Sequence, residues 1–181
     1  MAAGDGLVIM TPTSIAHAGT SASINSDGGV DFTAVTSLSL NGVFTSSFDN
    51  YLIVANYKTS TATSIYARLR AAGTDDTGSN YARQYLYVTS TSVTGQRVTS
   101  QTEGLGFGYG ATSDSGEHFH IYGPFLAQPT ASRSVNVYGG TVELNDWAST
   151  HSLSTSYDGL TLRTSTVNTF TGNVVVFGYE E

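Results

Sequence analysis

The sequence predicts an all-β protein, an antiparallel β-sandwich or jelly-roll-like fold with an extended N-terminal arm. Three observations carry that expectation. Short segments such as VDFTAV, QYLYV and EHFHIYG alternate apolar and polar residues, the period of a strand with one face on a core. Turn residues separate them at roughly the eight-to-twelve-residue spacing of sandwiches and jelly rolls. No long segment with a 3.6-residue period and caps occurs.

Residues 1–28 are small, polar and glycine-bearing up to the turn SDGG. They read as an extended arm with one short strand at Leu7, Val8, Ile9 and Met10, and residues 29–181 read as the sandwich. VDFTAV and SLSLNGVF each alternate, with Phe32, Leu38 and Leu40 toward the core. In SSFDNYLIVANY the Asp49-Asn50 pair suits a turn, because short polar side chains bond their own backbone and tolerate left-handed geometry. Tyr51, Ile53 and Ala55 then face one way and Leu52, Val54 and Asn56 the other. Both faces are largely apolar, which predicts a central strand covered on both sides. TSIYARLR contains good helix formers, yet period two and its threonine-rich start favour a strand running into the loop AAGTDDTGSN. Further strands are expected at QYLYV, QRVTS, GLGFGYG, EHFHIYG, SVNVYGGTVE, STHSLSTSY, GLTLRTSTV and GNVVVFGYE, with LNDWAS as a single helical turn. Glycines within GLGFGYG mark a bulge or the close approach of another backbone, as at a subunit interface.

Composition narrows the class. The 181 residues amount to one domain with an arm. The absence of cysteine excludes a disulfide scaffold and a cysteine nucleophile. Charged residues are 12%, about half the usual share, and 23 serines and 26 threonines take their place. An aromatic content of 11% and a hydrophobic content of 39% separate the chain from disordered sequences. The net charge of −7, the single lysine (Lys58) and the scattered arginines argue against nucleic acid and against anionic lipid. The N-terminus lacks a basic segment followed by a long apolar run, so no secretory signal is expected and synthesis is expected in the cytoplasm.

Candidate chemistry is sparse. His118 and His120 share one face of EHFHIYG, a weak metal pair that needs a third ligand from Glu103, Asp114 or His151. The simpler reading is two exposed imidazoles opposite Phe119 and Ile121. Asp75, Asp76 and Asn80 in GTDDTGSN offer oxygens to a cation, but without the order of an EF-hand, so a solvated hairpin loop is the simpler reading. No G-x-S-x-G occurs, and GLGFGYG lacks the lysine of a phosphate loop. The expectation is a protein that is not an enzyme and carries no cofactor. Among the 11 tyrosines and one tryptophan, Tyr109, Trp147 and Tyr157 are candidate contacts for a protein interface or a glycan.

The run from Ser39 to Val88, with Phe44, Phe48, Asp49, Asn50 and Tyr51, then Leu69-Arg70, then GTDDTGSNY before Tyr81, resembles a β-sandwich module of tailed-bacteriophage virion proteins, cyanophages among them. HIYGPF, residues 120–125, resembles a later strand of that module. The resemblance spans about half the chain. It implies a virion component, often a homotrimer, on head fibres, capsid or tail fibres, and it implies no catalytic residues. A capsid decoration protein would dock on the major capsid protein through Leu7, Val8, Ile9 and Met10. A tail-fibre protein would join a tail protein and contact host surface glycan. A free lectin-like module is the third reading.

Overall fold

The computed structural model describes residues 6–139 and 143–179. Its elements are β1 (Val8–Ile9), β2 (Ser14–Ile24), β3 (Val30–Asn41), β4 (Asn50–Thr59), β5 (Thr63–Ala71), β6 (Thr74–Asp75) and β7 (Tyr81–Thr89), followed by β8 (Ser92–Gln101), β9 (Leu105–Gly110), β10 (Ser115–Tyr122), β11 (Thr130–Tyr138), β12 (Glu143–His151), β13 (Gly159–Thr164) and β14 (Phe170–Tyr179). Every pairing is antiparallel. The order β6-β5-β13-β3-β14-β4-β10-β11-β12-β7-β8 forms one sheet, with β1 on β14, β2 on β3 and β9 on β5. The sheet curls as a half-barrel around one core, consistent with the sandwich or jelly-roll class.

The curl turns on β3. Its first half pairs with β14 and its second half, from Ser37, with β13. Near the end of that first half Ala34 has φ 46°, next to Val35, which pairs with Gly19 of β2; Gly19 has φ 133°, and both the β2 and the β14 registers shift here. A bulge of this kind bends a strand and sharpens its twist, which lets one strand serve both limbs. VDFTAV and SLSLNGVF are therefore one strand rather than two.

The core follows the alternation. Leu38, Leu40, Tyr51, Ile53, Ile65, Leu69, Phe107, Phe119 and Phe170 are all fully buried. The outward side of β4 is less covered than its sequence suggests: Leu52 and Val54 are half-buried and Asn56 and Lys58 exposed. The turn before β4 is closed by Tyr51, whose hydroxyl accepts the Thr45 N–H at 2.7 Å and reaches the carbonyls of Thr45 and Phe48. Gly123 N–H donates to Asp49 O at 2.8 Å, so HIYGPF abuts the FDNY turn. Arg70 clamps the following loop by bonding Asp75 and the Gly73 carbonyl, and it also holds Thr161 and Ser39.

Several expectations change. LNDWAS is the heart of β12, not a helical turn, because alternate side chains there meet the interior. STHSLSTSY does not continue as a strand beyond His151. SVNVYGGTVE divides between β11 and β12, and residues 140–142 lie outside the described residues. The arm expected over residues 1–28 is, from Ser14 to Ile24, a strand laid along β3. Residues 1–5 of that arm lie outside the described residues.

Candidate functional site

Where β7 and β12 run side by side, Trp147 lies opposite Tyr85, and Asn145 opposite Tyr87. Their inward side chains form one wall. Trp147 stacks on Tyr85 with ring centroids 4.2 Å apart and planes at 26°, and Tyr87 follows 6.1 Å from Tyr85. The other limb contributes Tyr109 of β9 and Ser64 of β5. With Glu143, these residues line a cleft of 280 Å³. Tyr109 packs on Tyr138 at 5.3 Å. Burial, together with Tyr138 and the Glu143 carboxylate, raises its hydroxyl above the ordinary phenol range.

Trp147 is only 3% exposed, and its indole Nε1 is buried without a hydrogen-bond partner among the described residues. A buried donor left unpaired costs about 1–3 kcal/mol. Tyr85 is better served, donating its hydroxyl to Gln96 Oε1.

The glycines of β9 explain how Trp147 fits. A Cβ on Gly106 would stand 2.3 Å from Trp147 Cε3, and one on Gly108 would meet Glu117 Oε2 at 2.0 Å and the Tyr57 hydroxyl at 2.4 Å. β9 thus carries the bulge that GLGFGYG allowed, its register on β5 shifting between Gly106 and Gly108; Gly104 approaches the Ala67 backbone, while the close neighbours of Gly106 and Gly108 are side chains of the opposite limb. The β9 backbone is held by side chains too. Gly106 N–H donates to Ser149 Oγ at 3.0 Å, Tyr109 N–H donates to Asn136 Oδ1 at 3.1 Å, and Ser134 Oγ donates to Phe107 O. Asn145 Nδ2 donates to that same Asn136 oxygen at 3.3 Å, linking the cleft wall to this scaffold. Beneath it lies Glu117, 1% exposed, with Oε1 2.7 Å from Ser134 Oγ. Burial drives its carboxyl well above the ordinary range, and its Ser134, Tyr57 and backbone partners only partly offset that.

Of the three predicted aromatic contacts, Tyr109 and Trp147 share this cleft. Trp147 contributes a buried wall rather than an exposed platform. Tyr157 does not belong to it: it is buried edge-on to His151, at 5.2 Å, with its hydroxyl 3.2 Å from Asp76 Oδ2. The loop read as solvated thus folds inward at Asp76. His118 is exposed on the outer face of β10, while His120 is half-buried with Nδ1 3.3 Å from the Tyr179 hydroxyl. Two of their candidate third ligands are engaged elsewhere, Glu103 by Arg83 and His151 by Asp76, both at 2.7 Å. Among the described residues no cluster of three or more His, Cys, Asp or Glu is placed to hold a metal ion. Leu7 is 51% and Ile9 43% exposed, while Val8 and Met10 are half-buried against the core.

Tyr85, Tyr87, Ser64, Asn145 and Glu143 were missed from sequence. Tyr85 and Tyr87 are two apart in YARQYLYV, and Glu143, Asn145 and Trp147 keep the same period. Reading LNDWAS as a strand would have put the latter three on one face. No protein-family model, curated protein or solved structure matches the chain.

Proposed function

We propose that this chain is a non-enzymatic, phage-type virion protein that recognises carbohydrate through the cleft between β7, β12 and β9. The single observation supporting this most is the aromatic lining of the cleft, Tyr85 and Tyr87 braced on Trp147 with Tyr109 across from them. A sugar ring offers an apolar C–H face for an aromatic wall and hydroxyls for polar groups at its rim. Asn145, Ser64 and Glu143 supply such groups. The chain's net charge of −7 and the carboxylate in the cleft favour a neutral saccharide over an acidic one. The virion setting rests on the resemblance of residues 39–88, and the partner is then host surface glycan.

Trp147 is the only tryptophan, so its fluorescence reports the site directly. Titration with a panel of neutral mono- and oligosaccharides is expected to give a saturable change whose midpoint Tyr109→Ala moves to higher concentration. A panel without a saturable response overturns the reading.

A second reading is capsid decoration, and the exposed Ile9 of β1 with Leu7 just before it favours it. An apolar strip at an edge suits docking on a capsid subunit. Leu7→Asp with Ile9→Asp is then expected to abolish binding to undecorated heads, and undiminished binding overturns it.

A further inference from the structure

Strand β2 is eleven residues long, bonded to β3 on one side. No strand among the described residues covers its other side. Nearly all of it is exposed. In an antiparallel ladder the N–H and C=O groups alternate between the two sides, so β2 presents a row of backbone donors and acceptors to the exterior. Proteins blunt such edges with lysine, inward charges, proline, short length or a cover. The β8 edge carries Arg97, and β6 is two residues long. Apart from a bulge, itself such a device, β2 has none of these: between Gly6 and Ser26 there is no Asp, Glu, Lys or Arg, although the chain holds 14 acidic and 7 basic residues. The bulge at Gly19 interrupts the edge but leaves Ser14–Ala18 in unbroken register with Asn41–Ser37.

We propose that β2 pairs edge to edge with β2 of a second copy of this chain, antiparallel about a two-fold axis at Ala16. Charge argues for a copy of itself. Two chains of −7 repel, and strands approach to about 4.8 Å only where that repulsion is locally absent. A partner of opposite charge would instead be met by a charged edge. In the straight segment, pairing about Ala16 sets Ser14 against Ala18 and Ile15 against His17, with Ala16 facing its own copy. No pair in that register places like charges together. The sheet would then run continuously through both copies. This goes beyond the carbohydrate reading and does not depend on it.

Sedimentation velocity on the full chain tests the pairing. The wild type is expected at twice the 19.0 kDa chain mass. Ala16→Lys and Ala16→Glu, at an exposed position, are each expected to sediment as monomers with unchanged circular dichroism. An equimolar mixture of the two is expected to restore the dimer, because lysine then faces glutamate. Val167→Lys, at a site 90% exposed outside β2, is expected to stay dimeric. A monomeric wild type at its highest soluble concentration overturns the proposal. So does a three-fold assembly indifferent to charge at Ala16, or a mixture that fails to reassemble.

Discussion

His151 and Asp76 are 75 positions apart in the chain and 2.7 Å apart in the fold, Nε2 to Oδ2. The pair ties the loop after β6 to the end of β12, with Tyr81 and Tyr157 packed on the imidazole. Partial burial acts to raise the Asp76 pKa, but the Gly78 N–H, His151 and Tyr157 outweigh it, and the carboxyl is held below its ordinary value.

That direction fixes a pH dependence. A carboxylate whose folded pKa is depressed contributes stability above its unfolded pKa, and the contribution is lost as pH falls through the folded one. Asp76→Asn is expected to lower stability at neutral pH and to flatten the acid limb of the curve. Urea midpoints measured from neutral pH down to pH of about 3 would show it. An acid slope identical to wild type would remove Asp76 from the account.

Glu117 predicts the opposite limb. Its folded pKa is raised by burial, so the folded state holds a proton that the unfolded chain releases. Stability is then full below the unfolded pKa and declines as pH rises toward the folded value. Glu117→Gln keeps the shape and a hydrogen-bonding group beside Ser134 Oγ. It is expected to be more stable than wild type at neutral and alkaline pH, the gap widening by about 1.4 kcal/mol for each pH unit above the unfolded pKa until the folded one is reached. Thermal melts across pH decide it, and a variant melting lower at every pH would contradict the assignment.

Gly106→Ala places a methyl group against the face of Trp147, which is already backed by Tyr85. Overpacking of this kind costs about 1–3 kcal/mol. A lower denaturation midpoint with shifted Trp147 emission is expected. An unperturbed emission spectrum would mean that β9 and β12 yield more easily than their contacts imply.

Tyr51→Phe removes the hydroxyl that closes the turn before β4. The Thr45 N–H loses its acceptor, and a loss of about 1–3 kcal/mol is expected. Hydrogen exchange at Thr45 should rise with it. A midpoint equal to wild type would show that water replaces the hydroxyl without cost.

Within the cleft, Tyr109→Ala removes a half-exposed ring from the limb opposite Trp147. Saccharide affinity is expected to fall at least tenfold, about 1.4 kcal/mol, with the melting temperature little changed. Parallel loss of affinity and stability would assign Tyr109 to the fold instead.

Much of the architecture was legible because strand alternation is local. EHFHIY declares its inward face residue by residue, and Phe119, Ile121, Ile65 and Leu69 lie where that period puts them, although Tyr66 and Arg70 on the other face of β5 are buried too. The same period placed Glu117 on the inward side of β10, although a carboxylate there went unnoticed. LNDWAS misled because Asn, Asp and Ser favour turns in isolation. Its partners in β7 and β11, which make it a strand, are distant in sequence.

Alternating polarity and punctuating turns thus determined the class of this protein, its strands and most of its core, since both depend on neighbours in sequence. Only the tertiary structure decided that Trp147 meets Gly106 and Tyr109, that Asp76 meets His151, and that β2 ends the sheet uncovered. Those relations depend on which strands pair across long loops and on where β3 bends between the limbs. No local pattern encodes them, because closing a long loop is decided by the summed burial of the whole core.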